Sequence, residues 1–314
     1  MDIKKVVVAG GGVLGTQIAF LCAYWGYDTT IWLRSQGSIG RTKPKIELVR
    51  KEVEDDLLKM KNEPEYISHG LCPDKDSFDY EKAVQMAESA YQGLKLELDL
   101  DKAFGDADLV IESMSEDKDA KKAFYKLMAP HLPAKTILCT NSSTMLPSTF
   151  AKFTGRPDKY LALHFANHIW HNNTAEVMAQ KETDPKVFET VMAFARSIHM
   201  VALPLHKEKS GYLLNSMLVP FLFAGLDLVA TGVSDPESVD KAWVLGTGAP
   251  EGPFQILDVV GMKTAYEIVS MYLHVPSFLA PYHFKDIAKM LKKMIDEGKL
   301  GVASGEGFYK YDKK

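Results

Sequence analysis

The chain has 314 residues, 46% of them hydrophobic and 25% charged, and a formal net charge of −4. That length suffices for two domains with cores of their own, and the charge offers no basic excess for nucleic acid to bind. No apolar run is as long as a membrane span, and Cys22, Cys72 and Cys139, far apart and without a CxxC, fit a reducing cytoplasm better than a disulfide scaffold or a cysteine metal centre.

Residues 5–9 read KVVVA, a short apolar run expected to be a buried strand, so near the first residue that no signal peptide is expected. Gly10-Gly11-Gly12-Val13-Leu14-Gly15 follows at once, then an apolar helical stretch from Thr16 to Trp25 and a second strand from Thr29 to Leu33. Strand, glycine turn, helix and strand in this order predict a dinucleotide site. Gly10 permits the tight turn, Gly12 lets a pyrophosphate approach the backbone, and Gly15 lets the helix pack closely on the strand. Val13 and Leu14 open a helix whose first N–H groups face the phosphates. At the end of the second strand a carboxylate would hold the ribose hydroxyls of NAD, but this chain has Leu33, Arg34 and Ser35. Arg34 can fork onto a 2′-phosphate and Ser35 can donate a hydroxyl, with Arg41 and Lys43 close in sequence. The reading therefore favours NADP(H) over NAD(H).

Further along, residues 46–62 and 80–93 are expected to be charged helices, 108–112 a buried strand and 118–128 a helix. Strands are expected at 136–140 and 160–164, with others at 177–178 and 201–203. Such alternation predicts a Rossmann-like, doubly wound, mostly parallel α/β sheet over residues 1–204. The pattern then becomes helical, at 212–230, 236–245, 254–272 and 284–297, giving a second, all-helical domain over residues 205–314. Its helices are apolar on more than one face, which in so small a domain predicts a homodimer interface.

Ligands of open α/β sheets sit beyond the carboxyl ends of strands, and polar candidates lie there. His164 ends YLALH, Glu176 follows in TAEVM, and Asn141-Ser142-Ser143-Thr144 closes TILCT. Asn215 sits inside an apolar helix. Hydride transfer at a carbonyl needs a proton donor working near neutral pH, a carboxylate to hold that imidazole, and hydrogen-bond donors around the oxygen. His164, Glu176, Ser143 and Asn215 match those needs. The run HFANHIWH also spaces His164, His168 and His171 as a zinc triad on one helix face. The strand-like YLAL before it, and Asn167, Asn172 and Asn173 within and after it, suit an irregular turn instead, so no metal is expected.

Taken together, GGGVLG, DADLVIES, TNSST, LHFAN, the AEV around Glu176, GYLLNSMLVP, GTGAPEGPFQILDVVG and GEGFYKY resemble the L-3-hydroxyacyl-CoA dehydrogenase family nearly end to end. HFANHIW, NNTAEVM and GTGAPEGPF look most like its bacterial diketoreductase and 3-hydroxybutyryl-CoA dehydrogenase type. The resemblance implies that His164 is the general acid/base with Glu176 as partner, and that Ser143 and Asn215 bond the substrate oxygen. It implies cofactor contacts at Ser113, Glu116, Lys121, Asn141 and Asn167. Three departures stand out: Leu33 occupies the place of the family's acid, Ala166 and His168 replace the Phe and Pro of HFFNP, and Trp170 and Asn172 break an apolar stretch expected to line the pocket. The expectation is an oxidoreductase that interconverts a 3-hydroxyacyl compound, CoA thioester included, with its 3-keto form. A reductase of non-CoA keto esters or diketones is the alternative. A dinucleotide sensor without catalysis would lack the His–Glu pair, and both members are present.

Overall fold

The computed structural model describes residues 2–63 and 65–311. Contacts divide the chain into two compact units, Met1–Leu213 and Leu214–Lys314. The sequence reading divides the chain between residues 204 and 205, whereas the first compact unit runs on to 213, because the chain after its last strand is tied back to it. Ser210 Oγ donates to the Thr144 carbonyl at 2.7 Å, Tyr212 Oη to the Ser142 carbonyl at 2.7 Å, and the Leu213 N–H to Glu176 Oε1 at 2.8 Å.

The first unit is built on one eight-stranded sheet. Its strands are β1 (Lys5–Ala9), β2 (Asp28–Trp32), β3 (Lys95–Glu97), β4 (Leu109–Glu112), β5 (Ile137–Thr140), β6 (Tyr160–Phe165), β7 (Thr174–Ala179) and β8 (Val201–Leu205), in the order β3-β2-β1-β4-β5-β6-β7-β8. All neighbouring pairs are parallel except β6 with β7. The central strands are buried along nearly their whole length because both faces are covered. Their alternation sorts them: Val6, Val8, Ile31, Leu109, Ile111, Ile137 and Cys139 join one core, and Val7, Ala9, Trp32, Val110, Leu138 and Tyr160 join the other. The first core is closed by α1 (Val13–Tyr24), α2 (Gln36–Asn62), α3 (Tyr80–Gly93) and α6 (Pro185–Ser197); the second by α4 (Leu100–Phe104) and α5 (Lys118–Met128).

Three elements depart from the sequence pattern. The first is α2, which starts at Gln36 rather than near residue 46 and runs through Pro44. An interior proline costs a helix about 3 kcal/mol, yet this one is held by a Ser35 N-cap and by Thr42, which packs against the glycine turn. The short strand β3 and helix α4 carry too few residues to show a period.

The second unit is helical, with α7 (Leu214–Ala230), α8 (Pro236–Thr247), α9 (Pro253–Val260), α10 (Met262–Ser270) and α11 (Phe284–Asp296) around Leu222, Leu226, Phe254, Leu257, Val269 and Ile287. The single helix expected over 254–272 is broken at Gly261, whose φ of 88° ends α9 and starts α10. Two buried carboxylates bind the tail: Asp258 accepts from the N–H groups of Phe308 and Tyr309 and from Tyr311 Oη, and Asp240 from Tyr309 Oη. Among the described residues no helix is long and apolar enough to cross a membrane.

Candidate active site

Strand order reverses between β1 and β4, and a cleft of about 230 Å³ opens at their carboxyl ends. Its lining includes Gly10, Gly11, Gly12, Leu33, Arg34 and Ser113. Gly10 has φ 125°, and a side chain there would meet the Ser113 carbonyl at 2.4 Å. A Cβ on Gly15 would strike the Gly10 carbonyl at 2.2 Å, whereas one on Gly12 would meet nothing within 4 Å. Gly12 is also the N-cap of α1 and supplies no side-chain cap, so the first N–H groups of that helix stay available. A turn that faces open space, beside an uncapped helix N-terminus, fits the pyrophosphate of a dinucleotide.

The same cleft shows what the sequence pattern missed. Ser38, Arg41, Thr42 and Lys45, on one face of the first turns of α2, line it with Arg34. Thr42 Oγ1 and Lys45 Nζ both donate to the Gly11 carbonyl, at 3.3 and 3.2 Å. The spacing was visible, but only to a reading that lets the helix pass Pro44. Ser35 Oγ accepts from the Ser38 N–H as the N-cap of α2, which leaves its own hydroxyl proton to donate. Val13 and Leu14 belong to the first turn of α1, outside the cleft lining, as is Gly15.

Farther along the strand ends, β6 and β7 run antiparallel with His164 directly opposite Glu176. Both are buried, at 6% and 3% exposed. His164 Nδ1 lies 2.9 Å from Glu176 Oε2, and Nε2 lies 3.2 Å from Ser143 Oγ. A carboxylate only accepts, so Nδ1 carries the proton and Nε2 is left to face Ser143. Tyr212, at φ 52°, stacks on the imidazole with centroids 4.4 Å apart, which fixes the ring plane. Burial pushes the Tyr212 phenol far up, so it remains a neutral donor.

The other predicted residues divide. Asn141 is buried, and its Oδ1 accepts from the Phe165 N–H at 3.0 Å, tying the end of β5 to that of β6. Glu116 is exposed and gathers the serine loop, accepting from Ser142 Oγ at 2.6 Å, the Ser143 N–H at 3.2 Å and Thr144 Oγ1 at 3.1 Å. Asn167 is exposed in the β6–β7 loop, and its carbonyl accepts from Asn172 Nδ2. Asn215 is the second residue of α7, in the other unit.

Lys121 is a correction. It is fully buried, with Nζ 2.6 Å from Glu112 Oε1. Glu112 also accepts from Tyr125 Oη, Thr140 Oγ1 and the Met114 N–H. Lys121 therefore neutralises a carboxylate beneath the strand ends and does not open onto the cleft. Trp170 is a second correction: it is 1% exposed, and its indole N–H bonds Asp56 at 2.7 Å, so it packs the hairpin loop rather than lining a pocket. The three histidines do not share a helix face. His164 is in β6, His168 is in a turn at φ 53°, and His171 pairs with Asp56 at 2.7 Å. Among the described residues no group of three or more His, Cys, Asp or Glu is placed to hold a metal.

Comparison with known proteins agrees with this architecture. The family model for the 3-hydroxyacyl-CoA dehydrogenase NAD binding domain matches residues 5–209, and that for the 3-hydroxyacyl-CoA dehydrogenase C-terminal domain matches residues 211–311. The chain is 28% identical over 311 residues to the human mitochondrial hydroxyacyl-coenzyme A dehydrogenase, covering 98% of this chain and 91% of that protein. It is 28% identical to 3-hydroxybutyryl-CoA dehydrogenase of Clostridioides difficile, covering 98% and 100%. Among solved structures, a diketoreductase that acts on dicarbonyl compounds superposes with a TM-score of 0.82 at 43% identity, covering 99% and 100%. With both halves matched in order, this chain belongs to the 3-hydroxyacyl-CoA dehydrogenase family of NAD-dependent oxidoreductases acting on CH–OH groups.

Proposed function

We propose that the protein interconverts a 3-hydroxyacyl compound and its 3-keto form, with His164 and Glu176 as the acid/base pair. The observation that carries this is the line Glu176–His164–Ser143, at 2.9 and 3.2 Å, whose first two members are buried. The bound nicotinamide supplies or takes up hydride. In the reducing direction His164 gives its Nε2 proton to the substrate oxygen as that oxygen gains charge. Glu176 stabilises the imidazolium before the transfer and keeps the ring in one tautomer. Ser143 donates a hydrogen bond to the same oxygen. In the oxidising direction neutral His164 takes the hydroxyl proton. The test is turnover of His164→Gln on acetoacetyl-CoA followed at the cofactor absorbance band; near-normal turnover sinks the assignment.

Within the NAD-binding family, this chain's cleft favours the 2′-phosphate of NADP(H). Leu33 gives ribose hydroxyls no acceptor, while Arg34, Arg41 and Lys45 line the cleft and bring three cations to it. A second substrate reading, a non-CoA dicarbonyl or keto ester, is favoured by the 43% identity to a diketoreductase. Comparing acetoacetyl-CoA with a matching 3-keto ester decides between them. We further propose a homodimer formed through the second unit, whose helices expose Leu245 at 83%, Val259 at 69% and Met217 at 67%; sedimentation velocity reads this directly. The three buried, unpaired thiols support a reducing cytoplasm.

A further inference from the structure

The β6–β7 hairpin carries His164 at one end and Glu176 at the other, so the loop between them, residues 166–173, sets the geometry of the pair. That loop is gripped by two helices that both begin at the dinucleotide cleft. From α1, the buried Gln17 accepts from the His168 N–H at 3.0 Å. From α2, Asp56 accepts from Trp170 Nε1 at 2.7 Å and lies 2.7 Å from His171 Nε2, and it takes a third bond from Tyr66 Oη at 2.8 Å. The Trp170 carbonyl is bound in turn by Ser68 Oγ and by the Gly70 N–H, both at 2.9 Å. Gly70 sits so close that a Cβ there would be 2.5 Å from Trp170 Cα. Burial works to raise the Asp56 carboxyl, but hydrogen bonds from His171, Tyr66 and Trp170 outweigh it and hold it below the usual carboxylate range.

Three donors converge on one half-buried carboxylate. Two of them come from adjacent residues of the segment that joins the acid/base pair. We infer that Asp56 is a positioning residue for the reaction: through Trp170 and His171 it fixes the hairpin loop and thereby the approach of His164 to the substrate oxygen. This rests on the His164–Glu176 reading above. The same helix carries Thr42 and Lys45 against the glycine turn, so a single helix, about 40 Å long at 1.5 Å per residue, connects the cofactor cleft with the hairpin.

The test uses the full chain with Asp56→Ala, Asp56→Asn and Trp170→Phe. The last keeps an aromatic ring and removes the indole N–H, so it stays informative if Asp56→Ala does not fold. Misplacing reacting groups by about 1 Å costs on the order of 100-fold. The expected result is a kcat lowered by about 10- to 100-fold in Asp56→Ala and Trp170→Phe. Cofactor Kd by calorimetry stays nearly unchanged, the isotope effect from C4-deuterated cofactor rises, and Asp56→Asn, which retains an acceptor, lies between. Unchanged kcat and isotope effect in the folded variants, or a loss that only follows the folded fraction, overturns the proposal. Inactivity of His164→Gln in the same assay shows that such a failure belongs to Asp56 and not to the acid/base assignment.

Discussion

Glu176 stands directly across an antiparallel strand pair from His164, with one carboxylate oxygen 2.9 Å from the imidazole and the other accepting the Leu213 N–H at 2.8 Å. The carboxylate is thereby aimed by the backbone that leaves the first unit, and its orientation does not depend on the imidazole alone.

That geometry assigns unequal weights to the pair. His164→Gln should lower kcat by roughly 100- to 10,000-fold, the usual worth of a positioned general acid. Cofactor Kd, measured by calorimetry, should hardly move because the glycine turn is untouched. Glu176→Gln should be milder, since the amide oxygen can still accept from Nδ1–H while the imidazolium loses its counter-charge. A Glu176→Gln enzyme with full turnover contradicts the ordering.

Under the proposed NADP(H) reading, charge at the mouth of the cleft sets cofactor choice. Arg34→Ala should raise the Kd for NADPH by about 10- to 100-fold, the worth of a hydrogen bond to a charged group, and leave NADH nearly unaffected. An equal loss for both cofactors removes the 2′-phosphate role.

Gly12 separates binding from folding. A Cβ there meets nothing within 4 Å of protein, so Gly12→Ala should melt at an unchanged temperature yet bind either cofactor at least tenfold more weakly. Gly10→Ala should instead lower the melting temperature, because its φ of 125° and the Ser113 carbonyl at 2.4 Å leave no room. If Gly12→Ala binds normally, the pyrophosphate does not lie on that turn.

The Glu112–Lys121 pair is a stability element. Lys121→Met leaves a fully buried carboxylate without its counter-ion, a change that costs about 3–5 kcal/mol. Urea unfolding should show that loss, while the cofactor Kd of the folded fraction stays the same. A large change in Kd with little change in stability would return Lys121 to the cofactor site.

Asp108 predicts how stability falls in acid. It is 7% exposed. Burial tends to raise its carboxyl, but Lys135 and the N–H groups of Lys4 and Lys5 outweigh this and hold it below its ordinary 3.8. A carboxyl depressed on folding contributes stability that is complete above the unfolded value and is lost as pH falls through the folded one. Asp108→Asn should therefore be less stable than the parent at neutral pH, and the gap should close as pH drops below about 4. A gap that persists at pH 2 points to packing rather than ionisation.

How much of this was legible in the sequence follows from how local each feature is. The strand–glycine–helix unit was, because it lies within contiguous residues with a fixed period. His164 and Glu176 stood out as residue types, but their pairing needs a strand register, and β7 showed only two apolar residues to the pattern. Lys121 was misread because a lysine in an amphipathic helix gives no sign of which buried acid it faces. Lys45 was hidden by Pro44, and Asp56 by a separation from Trp170 of 114 residues. What escaped was tertiary: polar groups brought together by folding leave no local trace.

The reversal of β7 has an inheritance consequence. The proposed proton donor, its carboxylate and the loop that separates them lie within residues 160–179, one uninterrupted hairpin. Exchange of that hairpin alone between relatives would strip its loop of the partners that hold it, Gln17, Asp56, Ser68 and Gly70. Hairpin and cleft are thus bound to be inherited together, because the loop's anchors lie on α1, on α2 and on the segment that follows α2.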